Sequence, residues 1–244
     1  MAVYMKYKNL GTSPGLKFKK YIKNKAIESF FSTSYNMYYV DFSKAKKCLT
    51  YLNFGKCRRF MSFDFVKIFK EIDLHKNDLD IDNFMTTIIN HCHEMQPNKS
   101  WDLFKELDYT TEVKSLAAHV IDSLEKEASP FIEQGFWFGL SDNGYLYFAV
   151  SDQYIAEEDN LDWMSEARTY YPEQGAFSSE ILRSIEDLAD ETELDNYAEY
   201  PLFLAYALKL AQASMNHYKT AYPERKVGYS IGYDSGDFIT GGWI

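Results

Sequence analysis

Between Pro201 and Pro223 runs a stretch, residues 202–222, that is apolar on nearly every side as far as Lys209. A helix of this kind cannot lie on a surface, because it has no polar stripe to turn toward water. It must be surrounded. The proline before it is tolerated in a first helical turn, where a missing N–H has no intrahelical acceptor, and the proline after it ends the helix. The rest of the fold is expected to assemble around this segment.

Two hairpins supply one wall. Residues 136–140 and 145–150 are apolar strands separated by Asp142-Asn143-Gly144, a strong turn signal. Residues 227–233 and 238–244 flank Asp234-Ser235-Gly236-Asp237 in the same way, and their glycines mark places where a large side chain or the facing helix comes close to the backbone. Amphipathic helices supply the other wall. Ser62 is placed to cap a helix carrying Phe65, Ile68, Phe69 and Ile72 on one face, and Asp78 or Asp80 to open a second carrying Ile81, Phe84, Met85, Ile88, Ile89 and Cys92, which stops before Pro97. A third is expected from about Thr111 to Lys126. The region from 151 to 172 reads as an acidic loop, after which Ser178 caps a helix bearing Ile181, Leu182, Ile185 and Leu188, with Phe177 and Leu182 as its hydrophobic staple. The expected class is α+β, an antiparallel sheet built from two β-hairpins with several helices packed on it.

Charge divides the chain. Residues 1–60 carry 13 Lys and Arg against Glu28 and Asp41, yet the whole chain has a net charge of −10. Two readings of the basic segment stand side by side: an arm that touches nucleic acid or an anionic surface, or sequence upstream of a biological start at Met61, which Arg58-Arg59 directly precedes. A single domain is expected over residues 61–244, long enough to bury its own core. Cys48, Cys57 and Cys92 are odd in number and lack CxxC spacing, so neither a disulfide framework nor a zinc ribbon is indicated. A reducing cytoplasm fits, and no run resembles a membrane span or a signal peptide.

Several catalytic signatures are missing: the sequence has no Walker A, Gly-x-Gly-x-x-Gly or His-Glu-x-x-His. His91-Cys92-His93 looks like a ligand cluster, but successive positions on a helix diverge by about 100°, so one ion cannot collect both imidazoles. No metal and no cofactor are expected on this basis. Residues 157–162 are acidic without the order of a calcium loop. Glu186-Asp187, Asp190-Glu191 and Asp234/Asp237 are pairs that acid–base chemistry can use only if burial shifts a pKa. What remains is the acidic flank, residues 151–200, with 15 Asp and Glu against Arg168 and Arg183 and with Trp163, Tyr170, Tyr171, Phe177, Tyr197 and Tyr200 interleaved. Carboxylates around exposed rings can steer and anchor a basic partner, although such a run can also serve only as a solvated face. Asp159, Asp162, Trp163, Glu166, Tyr170, Glu186, Asp187 and Asp190 are the expected contact surface.

Several phrases support a resemblance over about 110 residues, from the first hairpin to the C-terminus. They are Trp163 with Tyr171-Pro172-Glu173, Tyr197-Ala198-Glu199-Tyr200-Pro201-Leu202 leading into Ala205-Tyr206-Ala207, and Gly232-Tyr233-Asp234-Ser235-Gly236-Asp237-Phe238. They resemble a family of small, uncharacterised bacterial proteins of the kind found beside secreted-toxin genes, where immunity proteins neutralise a cognate effector. The resemblance implies a protein-binding domain whose partner is a basic toxin, such as a nuclease, and brings no catalytic motif. The alternative is a hydrolase with a carboxylate site beside the C-terminal hairpin.

Overall fold

Helices α1 (Phe65–His75), α2 (Ile81–Met95), α3 (Trp101–Phe104) and α4 (Val113–Lys126) precede strands β1 (Gly135–Leu140) and β2 (Tyr145–Ser151). A 3-10 turn (Asp162–Met164), strands β3 (Thr169–Tyr170) and β4 (Ala176–Ser178), helices α5 (Glu180–Glu191) and α6 (Asn196–Ala221), and strands β5 (Gly228–Tyr233) and β6 (Phe238–Trp243) follow. The computed structural model describes residues 63–77, 80–141, 145–156, 161–164, 168–234 and 236–244, all within the unit Phe60–Ile244. The basic segment 1–60, the Ser62 cap and the Asp142-Asn143-Gly144 turn lie outside the described residues.

Both hairpins form, and they join into a mixed, mostly antiparallel six-stranded sheet of order β3-β2-β1-β5-β6, with β4 also on β2. Together with the helices this is the α+β class. The seam between the hairpins is parallel: Phe136 lies beside Tyr229 and Phe138 beside Ile231. Parallel neighbours need a long crossover connection, and the path from β2 back through α5 and α6 provides it. Strand pattern reveals strands, not which edges meet. The acidic stretch expected as a loop holds β3, and β4 follows it; they pair with Val150–Ser151 and with Tyr145–Tyr147 of β2. Strands of two and three residues are too short to show a period.

The inner face of the sheet meets α6. Phe136, Phe138, Leu140, Leu146, Phe148, Val150, Tyr229 and Ile231 enter one core with α6, which is buried without a break from Pro201 to Ala211. Lys209 interrupts the apolar run and is nevertheless buried. Its ammonium donates to the carbonyl of Lys76, at the end of α1, at 2.7 Å, where the helix dipole favours a positive charge. The helix begins at Asn196 rather than after Pro201. Leu194 and Ala198 are fully buried, and the Tyr197 N–H reaches the Leu194 carbonyl at 2.9 Å, so packing draws an extra turn into the helix. Pro201 is thereby the sixth helical residue and not a first-turn one, and the helix forgoes the i→i−4 bond that an N–H at this position would make.

Two caps also fall elsewhere than expected. Asp64 caps α1, accepting from the Lys67 N–H at 3.1 Å. Ser179, not Ser178, caps α5, accepting from the Leu182 N–H at 3.0 Å; Ser178 is the last residue of β4, and its hydroxyl accepts from the Arg183 guanidinium at 3.0 Å. The Phe177–Leu182 staple is thereby out of register.

The outer face is built on the opposite plan. Gly135 pairs with Gly228 and Gly139 with Gly232 across the parallel seam. Rings cover this floor at three of the four positions, Trp163 at Gly135, Tyr147 at Gly139 and Tyr154 at Gly228, while Gly232 faces the Asp237 carbonyl and the Cα and Cβ of its cross-strand partner Phe238. A Cβ added at Gly139 or Gly228 would enter the covering ring. The approach expected at the C-terminal glycines is therefore made by side chains, while α6 occupies the other face. Gly236 is required for a different reason, its φ of +110° in the turn between β5 and β6.

Candidate functional site

The acidic face is organised by α5. A carboxylate from another helix start anchors this element: the buried Glu112, at the N-terminus of α4, accepts from the Ser179 hydroxyl and from the Glu180 N–H, both at 2.5 Å, and from the Tyr206 hydroxyl at 3.1 Å. It adds a buried negative charge at the α5 N-terminus to that of Glu180 in the first turn. With Leu182, Ile185 and Ala189 buried, α5 turns Asp187, Asp190 and Glu191 outward and leaves Glu186 at the margin. Partial burial raises the Glu186 pKa above its ordinary value, and the neighbouring charges of Asp190 and Asp187 raise it further. Glu186, Asp187 and Asp190 make no ion pair among the described residues.

The other expected contacts divide. Asp162 is exposed on the 3-10 turn, but Trp163 beside it is fully buried, packed edge-on to Tyr154 with ring centres 5.2 Å apart. Trp163 is therefore a structural ring and cannot serve as a contact; it fills the space that Gly135 leaves. Tyr170 is half-buried in β3 and donates to Glu127 at 3.4 Å. Asp159 and Glu166 lie outside the described residues. Tyr170 is registered with Val150, whereas the strand leading into α5 is registered with Tyr145 to Tyr147. These ends of β2 are about 17 Å apart along an extended strand. Of the eight residues, the structure draws the three on α5 into one patch and sets Tyr170 apart from it.

The carboxylates of the C-terminal hairpin are already engaged. Asp234 accepts from the Tyr147 hydroxyl on the outer face, and Asp237 from the Tyr200 hydroxyl at 2.6 Å on the α6 side. A groove of about 500 Å³ between α1 and β6 includes Asp237 and Asp73, but Lys76 crosses it to Asp73 and to the Thr240 carbonyl, both at 2.7 Å.

A further cluster was not visible as a sequence motif. Glu71 and His75 stand one turn apart on α1, and His91 faces them from α2. Oε2 of Glu71 lies 3.8 Å from Nε2 of His75 and 3.7 Å from Nε2 of His91, and all three atoms fall within 4.8 Å of one another. The imidazoles lie nearly parallel, 16° between planes, with centres 6.2 Å apart. His91 and His93 do diverge as helix geometry requires. The partner of His91 is on the adjacent helix, and the only sequence signal was the i,i+4 spacing of Glu71 and His75. Cys92, between the histidines, is fully buried in the core, where burial pushes its thiol well above the usual range.

Comparison with protein-family models, with curated proteins and with solved structures finds no match to this chain. Among the described residues no helix is long and apolar enough to cross a membrane.

Proposed function

We propose that this is a cytoplasmic protein-binding domain of the immunity type, which neutralises a basic partner such as a nuclease toxin by presenting carboxylates where the partner expects phosphates. The observation that carries the reading is the stripe Glu186, Asp187 and Asp190 on α5, three carboxylates without an ion-pair partner among the described residues, where partial burial and then the charges of Asp190 and Asp187 raise the Glu186 pKa. A cationic partner relieves that repulsion, so binding gains what the free protein lacks. Asp162 and Tyr170 belong to a second contact region on the flank. The sequence resemblance to immunity proteins points the same way.

The test is capture of the protein's basic partner from its own organism, followed by association kinetics at low and moderate salt. A stoichiometric basic partner should associate more slowly as salt rises, and the combined variant Glu186→Gln, Asp187→Asn, Asp190→Asn should slow association further and flatten its salt dependence. Unchanged kinetics in that variant sink the electrostatic reading. The hydrolase alternative draws no support from the C-terminal hairpin, where Asp234 and Asp237 receive tyrosine hydroxyls from opposite faces of the sheet.

A further inference from the structure

Three side chains from two helices converge where neither helix needs them for packing. Ile68 and Ile72 bury α1, and Phe84, Met85, Ile88, Ile89 and Cys92 bury α2, so Glu71, His75 and His91 lie beside the core rather than in it. Their side chains are 23%, 29% and 28% exposed. Both Nε2 atoms approach the same oxygen, Oε2 of Glu71, at 3.7 and 3.8 Å. These separations exceed a hydrogen bond of 2.7–3.2 Å, so direct hydrogen bonding does not account for the convergence. Among the described residues Glu71 pairs with no Lys or Arg.

We propose that Glu71, His75 and His91 bind one divalent transition-metal ion, and that the ion is zinc. Two neutral imidazoles and a carboxylate are a borderline donor set that suits zinc and is poor for calcium or magnesium, which prefer oxygen alone. Zinc bonds of about 2.0–2.2 Å place tetrahedral neighbours roughly 3.3–3.5 Å apart, so each imidazole needs to close on the Glu71 oxygen by only a few tenths of an ångström, and the two imidazoles, whose ligand atoms lie within 4.8 Å, by at most about 1.4 Å. Glu94 stands on the far side of His91, its Oε2 3.8 Å from Nδ1. That is where a supporting carboxylate fixes the tautomer of a zinc-bound histidine. Three protein ligands leave a fourth position to solvent, and the partial exposure gives the ion a way in. The bound ion pins α1 to α2. This site is distinct from the acidic face on α5, and either can fail without the other.

The experiment is calorimetric titration of the full-length protein, stripped of metal with a chelator, with zinc and then with cobalt. One zinc per chain should bind at micromolar concentration or tighter and raise the melting temperature. His75→Ala, His91→Ala and Glu71→Gln should each weaken binding at least tenfold, while His93→Ala and His217→Ala leave it unchanged. Circular dichroism of each unliganded variant verifies that the fold is retained; these side chains lie beside the core and are 23–29% exposed, so it should be. Glu94→Gln should weaken binding less than any ligand variant. Cobalt should give visible bands without a thiolate charge-transfer band. Absence of binding at 100-fold excess zinc overturns the site, as does binding that persists in the His75→Ala, His91→Ala double variant. A thiolate band lost with Cys48 or Cys57 would place the ion elsewhere and overturn it equally.

Discussion

The two faces of the sheet solve the same burial problem with opposite side chains. On the inner face, Phe, Leu, Val and Ile rise from β1, β2 and β5 to meet α6, and volume comes from the strands. On the outer face β1 and β5 contribute glycines, and volume comes from rings laid over them, Trp163 and Tyr154 from the chain between β2 and β3 and Tyr147 from the neighbouring strand β2. A helix presents a ridged cylinder that large strand residues can interdigitate with, whereas a thin cover of single side chains has to lie close to the backbone to exclude water. The alternation of large and glycine residues along β1 and β5 is thus one pattern serving two layers.

The largest break in this contrast should come from hollowing the inner face. Leu204→Ala removes a fully buried side chain from α6 and should cost about 2–5 kcal/mol in denaturant unfolding. A loss below about 1 kcal/mol would mean that the helix repacks freely and is not the centre of the core.

Overfilling the outer floor is the complementary break. Gly228→Ala should cost about 1–3 kcal/mol, because the new methyl must displace the Tyr154 ring. A neutral result would show that the cover is loose. Tyr154→Phe sharpens the comparison with less disturbance. The hydroxyl donates to the Tyr229 carbonyl at 2.9 Å, so its loss should cost about 1 kcal/mol, and Gly228→Ala combined with Tyr154→Phe should depart from additivity, since the two residues touch.

The smallest effect belongs to the surface. Glu186 has a raised pKa in the folded state, so the folded protein holds its proton more tightly than the unfolded chain does. Its charge therefore lowers stability as pH rises from the unfolded value, near 4.5, through the raised folded value, and the penalty is fully present at neutral pH. Glu186→Gln should gain a few tenths of a kcal/mol at pH 7 and low salt, and nothing below about pH 4. Equal gain at both pH values would show that the effect is packing, not charge.

Much of this was legible in the residues. The all-round apolar segment after Pro201 forced a central helix, and the two runs of apolar strand residues around Asp-Asn-Gly and Asp-Ser-Gly-Asp forced two hairpins, because local periodicity and turn chemistry act over a few residues. The stripe on α5 followed from its amphipathic spacing. What stayed hidden required partners far apart in sequence. Trp163 looked like a contact residue because its neighbours are acidic; only the vacancy over Gly135 shows why the ring is buried. The anchoring of α5 by Glu112 depends on a carboxylate 67 residues away. The meeting of His91 with Glu71 and His75 depends on how α1 lies on α2.

By itself, then, the sequence determined the long helices and the two hairpins, their inward faces and the acidic character of one flank, since each is written in nearest neighbours. Tertiary structure alone decided that β1 and β5 run parallel, which rings cover which glycines, and which polar side chains converge. Those outcomes depend on the relative placement of whole elements, and distance along the chain does not encode it.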